Sequence, residues 1–409
     1  MPRNKNLGKL SIALLVIIAV VLLIAPGAWA QSRYKRLYEF TGGADGSGPF
    51  AGLVFDGAGS LYGTTCCGGA NRDGTVFKLT RHVGGKWTEK VLHTFVFNHR
   101  DGIGPAANLI FDQKGNLYGT TTDGGASRNG TVFELMPHTS GRWTEKVLYS
   151  FAGGSDGAIP QGGVVIDAGG NLYGNTLIGS RGAGVVFKLT PKANGRWSEE
   201  VIYEFAGGSD GIGPAGSLVF DAAGNLYGMT NGGGTARDGT VFELAPNQGG
   251  GWTESVLHSF TGEDGINPLA GVILDQAGNL YGTVAGGGAF GSGVAFILTK
   301  NQDGSWTENV IHSFQGGSDG ASPYAGLTFD QAGNLYGTTR FGGGSGFGVV
   351  YKLTPNSKGG WDESVVHPFF DNPGAYPQAD VIFDAAGNFY GTTSGDGSTT
   401  FGSVFEIMP

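Results

Sequence analysis

Apolar residues in this chain come in short alternating runs, each ended by glycine, asparagine or aspartate. Between residues 53 and 95 they form four groups: Leu53-Val54-Phe55, Leu61-Tyr62-Gly63-Thr64, Thr75-Val76-Phe77-Lys78-Leu79, and residues 87–95. Runs this short, with turn residues between them, predict strands rather than helices. The four groups then return along the chain. The tyrosine of the second marks the period, at Tyr62, Tyr118, Tyr173, Tyr227, Tyr281, Tyr336 and Tyr390, in steps of 54 to 56 residues. Seven units of four antiparallel strands predict an all-β fold, a seven-bladed β-propeller of four-stranded antiparallel blades.

The fourth group carries a tryptophan followed two residues later by a glutamate, from Trp87 and Glu89 to Trp361 and Glu363. It occurs six times against seven tyrosines. The missing copy is at the ends. The last unit stops after its third strand (Val404-Phe405-Glu406-Ile407), while Arg36-Leu37-Tyr38-Glu39-Phe40 matches the end of a fourth strand such as Val201-Ile202-Tyr203-Glu204-Phe205. The N-terminal strand is therefore expected to complete the last blade, closing a ring with no open edge. Between the first two strands runs Asp-x-x-Gly, as in Asp330 to Gly333, where aspartate caps a tight turn and glycine takes the left-handed position. It is far shorter than a twelve-residue calcium loop and has no closing glutamate, so no metal is expected there.

Composition adds an address. Arg3, Lys5 and Lys9 precede an apolar run over 10–24, and Ala28-Trp29-Ala30 offers a small-x-small cleavage site. Residues 1–30 read as a signal peptide and 31–409 as the propeller, so the protein is expected to be secreted, extracellular or periplasmic. The leader holds three of 25 basic and none of 34 acidic residues, leaving 22 against 34 and a net charge of −12. An acidic chain without a basic stripe excludes nucleic acid and anionic lipid as partners. Glycine, at 79 of 409 residues, follows no three-residue period, which excludes collagen.

A compact site should break the sevenfold pattern. The loops between blades repeat Asp-Gly-x-x-Pro, from Asp45 and Pro49 to Asp319 and Pro323, and the last departs as Asp371-Asn372-Pro373-Gly374-Ala375-Tyr376-Pro377. Each aspartate is expected to cap its own turn, some also pairing with Arg72, Arg128 or Arg237. Just after each proline the first strand begins beside the channel. Phe50, Gln161, Tyr324 and Gln378 stand there, with Asn108 and Asp380 two residues further in. Asp380 is the sole carboxylate of that inner layer, and this mix of aromatic and hydrogen-bonding side chains suits a sugar or a peptide. A plug of the channel mouth is the alternative reading of the same residues.

Cys66 and Cys67 are adjacent, in the loop between the second and third strands. In an exported protein they are candidates for a vicinal disulfide, with free thiols or an intermolecular bridge as alternatives. His93, His258, His312 and His367 share one repeat position with Tyr38, Tyr149 and Tyr203, in the outer strands of different blades. They cannot converge on one ion and read as packing residues. No cofactor is expected.

Repeated Gly-Asn-Leu-Tyr-Gly-Thr-Thr, as at Gly115 to Thr121, then Gly-Thr-Val-Phe with Leu135, then Trp-Thr-Glu, resemble the GloVer tandem-repeat family of exported bacterial proteins. The resemblance spans residues 34–409 and implies an extracellular repeat protein whose relatives carry varied surface anchors. It defines no catalytic residues to carry over. A weaker likeness, through Asp-x-x-Gly-Asn-Leu-Tyr, is to propellers with hydrolase, lactonase or lyase activities. The function expected is a monomeric binding or interaction module with a glycan or protein ligand on the channel face. The alternatives are a polysaccharide-active lyase or hydrolase using that face, and a structural surface protein.

Overall fold

The computed structural model describes residues 33–370 and 374–409. Among them are seven four-stranded antiparallel sheets. In the first blade the strands run outward as Val54–Phe55, Leu61–Thr65, Thr75–Arg81 and Trp87–Thr94. The last blade is built as Ile382–Phe383, Phe389–Thr393 and Ser403–Met408, with Arg33–Glu39 added as the outer strand. Arg33 lies opposite Met408 and Glu39 opposite Ser403, so the N-terminal strand closes the ring. The signal segment read over 1–30, and Asp371 to Pro373 of the aberrant loop, lie outside the described residues. No helix among the described residues is long and apolar enough to cross a membrane.

Alternation of side chains lets one strand serve two interfaces. Leu61 packs with Phe40, Leu53, Phe77 and Tyr390 on one side of its blade, and Tyr62 with Phe95, Leu109 and Phe133 on the other. The described core accordingly falls into clusters that each join two neighbouring blades, the last bringing Tyr336 and Val350 against Phe389 and Phe405. Within each interface a phenylalanine past the outer strand meets the third-strand aromatic of the next blade edge-on, as Phe95 meets Phe133 at 5.3 Å.

The glycine after each tyrosine has a packing cause. A Cβ on Gly63 would lie 2.7 Å from the Phe77 ring tip and 3.0 Å from Leu53. The neighbouring turn is as the sequence predicts. Asp56 accepts the backbone N–H groups of Ala58 and Ser60 at 2.9 and 2.8 Å, Tyr62 donates its hydroxyl to the same carboxylate at 2.9 Å, and Gly59 is left-handed with φ 78°. These bonds hold Asp56 below the usual carboxylate range despite its partial burial.

Candidate functional site

The interblade loops deliver chain to the channel. Each of the six described loop aspartates caps its turn and also receives the tyrosine or histidine of the preceding outer strand. Asp45 accepts the Thr41 N–H at 2.8 Å and the Tyr38 hydroxyl at 3.0 Å, while Asp101 accepts from Val96 N–H at 3.2 Å and His93 Nε2 at 3.1 Å. The expected pairing of these aspartates with Arg72, Arg128 and Arg237 does not form among the described residues; Arg128 lies instead over the Phe97 ring at 4.2 Å. The residue before each proline is left-handed even where it is not glycine, with φ 60° at Ile159 and 62° at Tyr376. A bulky residue held there costs about 1–2 kcal/mol.

Past the prolines, one cavity of about 530 Å³ occupies the channel mouth. Phe50, Asn108, Gln161, Tyr324, Gln378 and Asp380 all line it, so the six positions singled out in the sequence share one space. They form two tiers. Phe50 and Gln161 are exposed at the rim, with Tyr324 and Gln378 half-buried beside them. Asn108, Ser217 and Asp380 make the floor, each answering a backbone N–H of the preceding blade. Asn108 accepts from Gly52 at 2.7 Å, Ser217 from Gly163 at 3.1 Å, and Asp380 from Gly326. Asn108 also donates its amide to Asp380 at 3.3 Å. Burial raises the Asp380 carboxyl above its ordinary range, partly offset by those two donors. Asp380 is thus tied into the floor.

The rim is asymmetric. In the sixth and seventh blades Arg340 stacks 5.1 Å from the Tyr324 ring centre and 5.0 Å from that of Phe341. Tyr376 packs edge-on against Phe341 at 5.8 Å and Phe347 at 5.6 Å, and Gln378 donates its amide to the Ser394 hydroxyl at 2.9 Å. Arg340, Phe341 and Tyr376 were not among the sequence candidates. The signal was present: Arg340 is the one charged residue at its repeat position, one past the Leu-Tyr-Gly-Thr-Thr motif. A larger groove, about 640 Å³, lies on the outside between the third and fourth blades, lined by Asp167, Tyr173, Asp221 and Trp252. Those are frame residues that recur at other interfaces, as Trp87, Asp384 and Tyr390 do around a smaller outer groove. It follows the repeat, and the channel rim departs from it.

The outer-strand glutamates form a second layer of chemistry. In each of Glu89, Glu145, Glu199, Glu254, Glu308 and Glu363 one oxygen is buried without a partner. Burial first, and the neighbouring blade's loop aspartate second, push every one of them up to about 7. At two interfaces a histidine joins them, His93 with Asp101 and Glu145, and His258 with Asp264 and Glu308, ligand atoms within 4.8 Å of one another. Such a triplet is a donor set for a cation. Yet where tyrosine replaces histidine, Tyr149 still donates to Asp156 at 2.9 Å and Glu199 is still pushed up to about 7. The histidines therefore act as the tyrosines do. Read from the sequence as packing residues, His93, His258 and His312 are also hydrogen-bond donors to aspartate. His367 alone fits the simpler reading, stacked on Tyr34 at 4.3 Å and lowered to about 4 by burial.

Cys66 and Cys67 are unbridged thiols here. Hydrogen bonding from Cys66 brings the Cys67 thiol down to about 7, and the same contact, with burial, pushes Cys66 up.

Fold and rim together define a closed seven-bladed β-propeller with one asymmetric channel mouth. The chain belongs to the Gloeobacter/Verrucomicrobia repeat family, whose model matches residues 25–179 and 175–405. No curated protein sequence matches it. Among solved structures it is similar to one from Thermus thermophilus described as a "putative oxidoreductase (glucose dehydrogenase)". That likeness has 16% identity and a TM-score of 0.48, over 92% of this chain and 100% of that one. A likeness of that size adds nothing about function.

Proposed function

We propose that this protein is an exported binding module that holds a glycan at the channel mouth. The observation that carries the reading is the concentration of Phe50, Tyr324, Gln161 and Gln378 around one cavity of about 530 Å³, where two other blades bring only Ala106 and Leu269 to the same rim position. Aromatic faces with amide donors are what a pyranose ring needs, and the volume lies within the usual range of about 300–1,000 Å³ for small-molecule sites. The basic and apolar leader over 1–30 supports export. In an oxidising compartment Cys66 and Cys67 would close as a vicinal bridge.

Catalysis is the second reading, and one observation favours it: Asp380 is a half-buried carboxyl raised above its ordinary range by desolvation, facing the cavity. A lyase or hydrolase needs an acid and a base within reach of one substrate atom. Among the described lining residues Asp380 is the sole carboxylate, and its oxygens already accept from Gly326 and Asn108. Binding without turnover is the reading this favours.

The test is to incubate the purified protein with pooled cell-wall and plant oligosaccharides, then analyse bound and free sugars by mass spectrometry. A sugar retained at unchanged mass, and released by Tyr324→Ala, is the expected result. Cleaved or mass-shifted sugar would sink the module in favour of the enzyme, and no retention would remove glycans altogether.

A further inference from the structure

Arg340 occupies a position that is neutral in the other six blades, as Cys66, Thr122, Leu177, Asn231, Ala285 and Ser394. Three of those neutral residues use their side chains locally, Cys66 by donating its thiol to the Ser47 carbonyl at 3.8 Å. Thr122 donates its hydroxyl to the Gly104 carbonyl at 3.1 Å, and Ser394 to that of Tyr376 at 3.0 Å. Arg340 has its backbone fixed in the same way, its N–H donating to the Ser322 carbonyl at 3.0 Å. Its guanidinium is held between two aromatic rings but makes no hydrogen bond or ion pair among the described residues, and its Nε is buried without an acceptor. A buried N–H without an acceptor is rare in folded proteins, because desolvation is then uncompensated.

A guanidinium fixed between aromatic faces presents its N–H fork already oriented, so little rotamer freedom remains to be lost when an anion arrives. The fork matches a carboxylate, two parallel N–H bonds to two oxygens. One cation on an acidic protein, stacked on the Tyr324 that shares its cavity with Asp380, favours a monoanion over a dianionic phosphate. The other rim residues are neutral hydrogen-bonding groups and aromatic faces, Gln161, Gln378, Phe50 and Tyr324.

On the glycan reading given above, we propose that the ligand is an acidic saccharide whose carboxylate is received by Arg340, with the adjoining sugar ring laid on Tyr324. Phe341 and Tyr376 wall the subsite on its far side, and Tyr376 is held there by its N–H donating to the Phe347 carbonyl at 2.9 Å and its carbonyl accepting the Ser394 N–H at 3.1 Å.

Calorimetric titration of the purified protein with a uronic-acid oligosaccharide and with its methyl ester tests this, because the ester keeps the sugar and replaces the charge with one methyl group. The acid is expected to bind at least about tenfold tighter than the ester, the margin of a charge-assisted hydrogen bond, and to weaken as salt is added. Arg340→Gln should bring the acid down to the ester's affinity and leave the ester unchanged, with Arg340→Lys between the two. Should Arg340→Gln fail to fold, the acid and ester comparison in the native protein still decides. Equal binding of acid and ester would overturn the carboxylate subsite while leaving glycan binding intact. Binding of neither would overturn both. Inorganic phosphate that displaces the acid at the same concentration as the acid itself would assign the site to bare anions and overturn the proposal.

Discussion

The fifth and sixth blades are the same frame written twice, 55 residues apart. Leu280 pairs with Leu298 and Val284 with Val294 in one, Leu335 with Leu353 and Thr339 with Val349 in the other. Their turns match, with Asp275 capped as Asp330 is, and Gly282 lies under Phe296 as Gly337 lies under Tyr351. At the channel rim they part. Leu269, Ala285 and Gly286 of the fifth blade become Tyr324, Arg340 and Phe341 in the sixth. Interior packing couples each blade to two neighbours and so punishes variation, while a rim side chain has open space on one side and is free to differ. The frame sets where the rim stands, and the rim decides what it can hold.

The sharpest way to break this division is to substitute one position of each kind. Gly63→Ala puts a methyl 2.7 Å from the Phe77 ring and is expected to cost about 1–3 kcal/mol by overpacking, read as a lower midpoint in denaturant. Phe50→Ala at the rim should leave that midpoint within about 0.5 kcal/mol. A rim substitution that destabilised as much as the glycine would erase the distinction.

A smaller effect concerns the frame alone. The six outer-strand glutamates are raised to about 7 in the folded protein against an ordinary value near 4.5. The folded state therefore holds protons that the unfolded chain releases between those values, and stability falls as pH rises through that window and levels off above it. His312 and His367, both lowered by burial, act the other way, losing stability as pH falls below about 6.5. Six groups outweigh two, so the melting temperature should be a few degrees higher at pH 5 than at pH 8. Glu145→Gln, which keeps the neutral form at every pH, should reduce that difference. A melting temperature that climbs steadily from pH 5 to pH 8 would mean these glutamates are ionised in the fold.

Much of this was legible in the sequence because the repeat repeats its physics. Seven tyrosines, six tryptophans and a stray fourth strand at Arg36 to Phe40 were enough for the closed ring. Comparing the first strands blade by blade found Phe50, Gln161, Tyr324, Gln378, Asn108 and Asp380, and the structure places all six around one cavity. Three features stayed hidden. Asp380 stood out as a free carboxylate, but its bonds to Gly326 and Asn108 come from blades more than 50 residues away. Arg340 stands out at its repeat position and Tyr376 lies in the aberrant last loop, but only folded distance reveals that the two meet at Phe341. The crowding of Glu145 against Asp101, which helps to raise the glutamate, was invisible because it crosses from one blade to the next.

The most direct test of the central claim, that the ligand sits where the rim breaks the repeat, is amide hydrogen exchange of the protein with and without the acidic oligosaccharide. Slowed exchange confined to residues 322–327, 340–347 and 376–380 is the predicted result. Protection spread evenly over the seven blades, or gathered in the outer groove around Tyr173 and Trp252, would contradict it.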